Sequence, residues 1–395
     1  MRLLVVQPVY EPARAFGGGV VRSLSTLCRA LAKLGVSVTV YTTNASGTDE
    51  TLNVPLGRPV DLGGVNVCYF RSTFGPKSMF YSRDLLNKMR ATVREFDAVY
   101  ISGWFTLTGV EAARICRKNQ VPVIAGTYGG FMLRARRKSY VKKKLFRELF
   151  IRRALNGVTA VILSSKAEQN SSTDWLDGRP VIIVPNAVDP GRFYPCPNRR
   201  DEFRQRYNIP LDVPVLISVT RFDWMKRVDL LIGALAKSDR WHLVLVGDWQ
   251  SGTGPSLKRY AQTTGVSSRI VWTGYVDNEG LCAALSATDL FALVSETENF
   301  GNVVAEAMMC GLPVLVSKQA GVWEYISDQP FVIAPELSIE SIVDSLRNFE
   351  QNGMNSRIDS AYIRQAAIDK FSPQTVARNF IYELQRYVRM PKKGS

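Results

Sequence analysis

Two carboxylates eight positions apart, Glu298 and Glu306, lie in the segment Ser295-Glu296-Thr297-Glu298-Asn299-Phe300-Gly301-Asn302-Val303-Val304-Ala305-Glu306. The segment follows an apolar run that reads as a buried strand, Leu290–Val294, and opens a helix over Val303–Met309. A carboxylate only accepts hydrogen bonds, which suits it to gripping the vicinal hydroxyls of a ribose or hexose. Glu298 falls in the loop and Glu306 about a helical turn or more further in, so both can face one pocket. Between them, Gly301 permits close backbone approach, and the N–H groups of the first helical turn form an anion site. Glu-x7-Glu alone is a common chance spacing. What makes it specific is its setting between a strand, the Asn-Phe-Gly-Asn turn, a helix, Cys310-Gly311-Leu312-Pro313 and a further strand.

A second cluster is cationic. Arg221 and Lys226 stand five residues apart on the loop between Val213–Val219 and the helix Arg227–Lys237, a spacing that lets both reach one pyrophosphate. Exposed cations usually just solvate a surface, so this pair gains meaning only beside the carboxylates. There is no Asp-x-Asp, and no metal is expected. The single histidine, His242, sits in the apolar run Trp241–Val246 and reads as a strand residue, which excludes mechanisms built on histidine bases or ligand sets. A glycine loop, Phe16-Gly17-Gly18-Gly19-Val20-Val21-Arg22, joins the first strand to the first helix but is not the dinucleotide fingerprint.

These residues need a scaffold, and the hydropathy pattern supplies it. Leu3–Val6, Val36–Tyr41, Asp97–Ser102, Val121–Ala125, Gly157–Ser164 and Val181–Val184 read as strands, with helices over Val20–Leu34 and Thr108–Lys118. The pattern restarts after a Pro- and Arg-bearing stretch, with strands at 213–219, 241–246, 270–272, 290–294 and 313–317 and helices between. Strands alternating with helices indicate parallel sheets covered on both faces, and 395 residues exceed one core. The expectation is two doubly wound α/β domains, 1–190 and 213–371, facing across a cleft. Residues 191–212 are expected as a linker and 372–395 as a helix crossing back.

Composition narrows the setting. No apolar run is long enough to span a bilayer, and the N-terminal run is too short for a secretory signal. Six scattered cysteines without a C-x-x-C pair fit a reducing compartment. The net charge of +15 suggests an anionic partner. Between Arg134 and Arg153 there are ten Lys or Arg against Glu148 alone. Drawn as a helix, this stretch sets Val141, Leu145, Phe146 and Leu149 against its cations. That arrangement predicts an anionic membrane contact through Arg136, Arg137, Lys138, Lys142, Lys143, Lys144 and Arg147, in competition with a plain solvated helix.

From Val215 to Gly321 above all, the chain closely resembles the retaining GT-B glycosyltransferases of family 4, with their Glu-x7-Glu signature. The resemblance implies that Glu298 contacts the donor hexose and Glu306 the ribose. It places the amides of Asn299, Phe300, Gly301, Asn302 and Val303 against pyrophosphate or sugar, and gives Arg221 and Lys226 the leaving diphosphate. Gly18 and Gly19 would face donor phosphate, and Val276, in Thr273-Gly274-Tyr275-Val276, would receive the nucleobase. Val184-Pro185-Asn186 resembles the hinge-proximal Pro-Asn-Gly motif. Where many members carry an acceptor-side His, Ser102 stands here, with Tyr128 and Gly129 on the same side. Serine can hydrogen-bond a sugar hydroxyl but does not match imidazole as a base. The implied activity is metal-independent transfer of a hexose from a UDP- or GDP-sugar, a substrate rather than a cofactor. The acceptor would be a glycan or lipid-linked glycan, in cell-surface polysaccharide synthesis at the cytoplasmic face of the plasma membrane. The rivals are an epimerase or phosphorylase on the same fold, a non-catalytic subunit, and a nucleic-acid-binding protein, for which no recognition motif is seen.

Overall fold

A computed structural model describes residues 1–13, 18–46, 50–72, 80–137, 140–351 and 359–388, of which 18, 136 and 137 are described by backbone alone. The chain divides into two compact units, Met1–Ala187 with Pro373–Ser395, and Val188–Ser372.

Unit 1 is built on strands β1 (Arg2–Val6), β2 (Ser37–Thr43), β3 (Pro59–Asp61), β4 (Asn66–Phe70), β5 (Ala98–Ile101), β6 (Val123–Gly126), β7 (Ala160–Leu163) and β8 (Val181–Ile183). Their order is β3-β4-β2-β1-β5-β6-β7-β8, parallel except for β3 against β4. Side chains alternate between the two faces of a strand, so both faces need cover. Leu3 and Val5 pack under the helix Gly18–Lys33 through Leu24, Leu27 and Leu31, and against Phe380 and Leu384 of the terminal helix Pro373–Gln385. Leu4 and Val6 face the other layer, with Leu85, Met89 and Val110. The β3–β4 pair had no expectation from sequence, because Pro59 and Asp61 break the apolar pattern.

Unit 2 repeats the plan with β9 (Val215–Val219), β10 (His242–Val246), β11 (Ile270–Gly274), β12 (Leu290–Leu293), β13 (Val314–Val316) and β14 (Val332–Ile333). All are parallel, in the order β11-β10-β9-β12-β13-β14. Leu216, Leu243, Leu245 and Ala292 fill one layer, and Ile217, Val244, Phe291 and Leu293 the other.

Residues 191–212 are not a linker; they fold into unit 2. They form a 3-10 turn, Pro197–Arg199, and the helix Arg200–Arg206, with Phe193, Phe203 and Ile209 buried in the unit's core. Arg204 is fully buried, donating to the carbonyls of Ala287 (2.8 Å), Pro210 (3.1 Å), Leu211 (3.0 Å) and Val213 (3.1 Å) and to Asp289 (3.0 Å). Proline and arginine read as solvent-seeking in sequence. Here a five-donor guanidinium is satisfied by the ends of other elements. Among the described residues no helix is long and apolar enough to cross a membrane.

Candidate active site

In an open parallel sheet, ligands bind at the carboxyl ends of the strands where the winding direction reverses. Unit 2 winds outward one way through β9, β10 and β11, and the other way through β12, β13 and β14, so its switch point lies between β9 and β12. The loop after β9 carries Arg221 and Lys226, and the loop after β12 carries Glu298. The two sequence clusters therefore meet for a topological reason.

The loops are tied together. Glu296 N–H donates to the Met225 carbonyl at 2.9 Å, and Arg227, held at φ 46°, pairs with both Asp229 (3.0 Å) and Glu296 (3.0 Å). Hydrogen bonding to Asp229 raises the Arg227 pKa above its ordinary value. Asp223 caps the 3-10 turn Trp224–Lys226 by accepting from Met225 N–H at 3.1 Å. Lys226 Nζ then donates to Glu298 Oε2, a pair with side chains only 11% and 21% exposed. Arg221 is exposed and has no carboxylate partner among the described residues. The cations of the expected pair thus differ: one is fixed on a carboxylate and the other projects into solvent.

Glu298 owes its position to its backbone. It forms a parallel bridge with Ala320, Gly321 N–H donates to its carbonyl (3.3 Å), and Val322 N–H donates to the Phe300 carbonyl (2.7 Å). Phe300 itself is core, edge-on to Tyr325 and Phe371, so its ring offers a ligand nothing. Gly301 caps the helix Asn302–Met309 at φ 92°, where a Cβ would meet Leu293 Cδ2 at 3.2 Å. That helix has no side-chain cap and no acidic residue in its first turn. A helix start of this kind presents the backbone N–H groups of its first turn, Val303 among them, to an anion. Glu306 is buried on the same helix. At its end Cys310 lies beside Cys282, whose Sγ donates to the Arg192 carbonyl at 3.2 Å; the interaction of the two thiols draws Cys282 down and pushes Cys310 up.

Val276 is half-buried beyond β11, following Gly274 at φ 73°. One participant at this sheet edge was missed from sequence. Gly247, at φ 141° after β10, brings its chain so near the β9 loop that a Cβ would lie 2.1 Å from the Thr220 carbonyl oxygen. A glycine directly after an apolar strand was the available signal. Among the described residues no cluster of three or more His, Cys, Asp or Glu could hold a metal.

Unit 1 reverses its winding between β1 and β5. Ser102 is buried at the end of β5, while Gly18 and Gly19 open the helix that follows β1. Tyr128 (φ 45°) and Gly129 (φ 77°) follow β6. Burial raises the Tyr128 phenol, which is bonded to Tyr100. A second residue missed from sequence holds this loop. Glu168, fully buried, accepts from Thr127 Oγ1 (2.6 Å), Gly129 N–H (2.6 Å), Ser164 N–H (2.8 Å) and Ser164 Oγ (2.8 Å). A cavity of about 20 Å³ beside it, lined by Tyr100, Tyr128 and Asn186, has room for a water molecule.

The basic stretch is not a regular α-helix throughout: after the short helix Leu133–Arg137, a contiguous helical run Tyr140–Leu155 contains a π-helical turn at Arg147–Ile151. Arg147 is not a surface contact. It is buried over the Trp175 ring and paired with Asp177 at 2.6 Å, a partner thirty residues away that periodicity cannot reveal. Lys143 also turns inward, its ammonium 5.4 Å from the Phe105 ring centre. Lys142 and Lys144 are exposed; Arg136 and Arg137 are described by backbone alone, and Lys138 lies outside the described residues. Phe146 packs on Phe105 and Phe150, but Leu133, Leu145 and Leu149 are more than half exposed and Val141 is 76% exposed.

Comparison with known proteins fits this geometry. The sequence model of "Glycosyl transferases group 1" matches residues 199–368, and that of "Glycosyltransferase Family 4" matches 17–192. A D-inositol 3-phosphate glycosyltransferase from Kineococcus radiotolerans is 25% identical over 81% of this chain and 78% of its own. Alpha-monoglucosyldiacylglycerol synthase from Streptococcus pneumoniae is 21% identical over 100% of this chain and 95% of its own. The structure of Anabaena Alr3699/HepE in complex with UDP superposes with a TM-score of 0.73 at 19% identity, covering 98% of this chain and 100% of that one. Two Rossmann-like parallel-sheet units with a charged switch point define a glycosyltransferase of the GT-B fold. The chain belongs to the family-4 glycosyltransferases. The epimerase, phosphorylase, non-catalytic and nucleic-acid readings have no support in these matches.

Proposed function

We propose that the chain is a retaining, metal-independent hexosyltransferase that uses a UDP- or GDP-linked hexose and acts on a glycan or lipid-linked glycan at an anionic membrane surface. The observation that carries this reading is the Lys226–Glu298 pair at the switch point beside a helix start that has no side-chain cap and no acidic residue in its first turn. On donor binding, Lys226 exchanges its carboxylate partner for the diphosphate, Arg221 folds onto it, and the Asn302 and Val303 amides complete the anion site. Glu298 is thereby released to accept from hexose hydroxyls, and Glu306 takes the ribose. The C1–O bond breaks, the departing phosphate oxygen removes the acceptor proton on the same face, and the new glycosidic bond forms there. The cations and amides do the work a divalent ion does elsewhere, so neither metal nor cofactor is needed. Ser102, Tyr128 and Gly129 serve the acceptor, with Gly18 and Gly19 near donor phosphate.

The membrane reading draws support from the exposed apolar residues Val141, Leu145 and Leu149 interleaved with Lys142 and Lys144. It also draws on a full-length relative named for a diacylglycerol product. A thermal-shift panel of UDP, GDP, ADP and their hexose conjugates, with and without EDTA, tests the donor site. One base should stabilise selectively, by about 2.7 kcal/mol at roughly 100 Kd, without EDTA effect and with loss in Glu306→Ala. No shift with any nucleotide refutes the reading. Retention is read from the anomeric proton couplings of the product.

A further inference from the structure

Unit 1 carries an open cavity of about 470 Å³ lined by Arg90, Glu111, Arg114, Arg117, Lys118 and Arg153. Arg90, Arg117 and Lys118 stand in the last turns of the helices Arg83–Thr92 and Leu107–Lys118. The latter helix runs back from the end of β5 to the start of β6, so the cavity lies at the sheet edge opposite Ser102. It is therefore separate from the machinery described above.

Its charge is unbalanced. Glu111 is taken by Arg114 at 2.6 Å. Arg90 donates to the neutral Asn87 Oδ1 (2.8 Å), and Arg117 to the Arg153 carbonyl (3.3 Å). Among the described residues none of Arg90, Arg117, Lys118 and Arg153 forms an ion pair. Cations at helix ends offset the helix dipole, but each end carries only about half a negative charge. With Arg153 in the last turn of Arg152–Leu155, three such ends leave roughly two and a half of these four positive charges uncompensated. Guanidinium forks match the oxygens of a phosphate in pairs, and the volume exceeds what a bare phosphate fills.

We propose that this cavity binds a phosphate group borne on a small polar moiety, either the headgroup of an anionic phospholipid or a soluble phosphate ester. Arg153 lies four residues beyond Leu149, in the same helical run as the exposed Val141 and Leu145, so the run joins an apolar surface to the cavity. The proposal is independent of the donor-site reading.

The test uses the full chain carrying Arg221→Ala and Lys226→Ala, which silences the other phosphate site. Onto it are added Arg117→Gln and Arg153→Gln, or separately Arg90→Gln and Lys118→Gln, each checked for native circular dichroism. Thermal shifts with inorganic phosphate and glycerol phosphate read the soluble arm. Sedimentation with phosphatidylcholine vesicles containing or lacking phosphatidylglycerol reads the lipid arm. Comparing variants at equal salt cancels general salting-out. At least a tenfold weakening, roughly what loss of one charge-assisted contact produces, is expected in one arm for both pairs of substitutions. Loss in the soluble arm alone identifies a free ester, and loss in the vesicle arm a lipid headgroup. If neither arm changes with either pair, the proposal is overturned.

Discussion

Lys226→Ala should be the most informative single change. Lys226 is held by Glu298, both largely withdrawn from water, at the point where a leaving diphosphate would develop charge. Removing the ammonium deletes one stabilising cation and leaves the Glu298 carboxylate facing an anion. The loss of one preorganised charge-stabilising group in a sheltered site is about 2–4 kcal/mol. That corresponds to a fall in turnover of roughly 30- to 900-fold. Initial rates at saturating donor and acceptor measure it. A companion, Lys226→Ala with Glu298→Gln, separates two explanations. If Lys226 served only to neutralise Glu298, the double variant would match Glu298→Gln alone; if it stabilises the leaving group, the double variant falls well below Glu298→Gln. Turnover of Lys226→Ala within about threefold of native, less than about 1 kcal/mol, would refute the assignment.

Gly301→Ala should cost about 1–3 kcal/mol of stability from backbone strain and abolish the donor-induced thermal shift if the helix start it displaces is the proposed anion site. Glu168→Ala should lower stability by about 2–5 kcal/mol by stranding the Gly129 and Ser164 donors, read as an earlier urea midpoint. His242, whose pKa burial first and then Arg269 hold below 6.5, is neutral in the fold and protonates more readily unfolded. Stability should therefore be fully present above pH 6.5 and decline as pH falls below it, and His242→Gln should flatten that part of the urea-midpoint profile.

How much could be read from sequence follows from where the information resides. The Glu298–Glu306 segment and the Arg221/Lys226 loop were visible because each directly follows a buried apolar strand, and parallel topology brings such loops to one edge. The strands themselves were visible because both faces are buried, which leaves unbroken apolar runs. What escaped depends on partners distant in sequence. Arg147 looked like any other cation in its run until Asp177 and Trp175 enclosed it. Arg204 became a buried connector only because four carbonyls and Asp289 converge on it. Glu168 carries no signal beyond a Ser-x-x-Glu helix start at Ser165; four donors from two separate segments define its role. The π-helical turn at Arg147–Ile151 rotates the later cations away from the face a regular helix would give them.

The discontinuity of unit 1 sets an order of synthesis. Unit 2 is one unbroken stretch, Val188–Ser372, and all of it leaves the ribosome before residue 373 does. Unit 1 starts first yet finishes last. Until Val376, Ala377, Phe380 and Leu384 emerge, the layer that Leu24 and Leu27 form with Leu3 and Val5 lacks part of its cover. During translation the nascent chain thus holds an unfinished apolar layer while a later domain completes beside it, the situation in which chaperones engage growing chains. Premature termination just after Ser372 would damage the amino-terminal unit, which loses its terminal helix, and leave unit 2, the one nearer the break, complete.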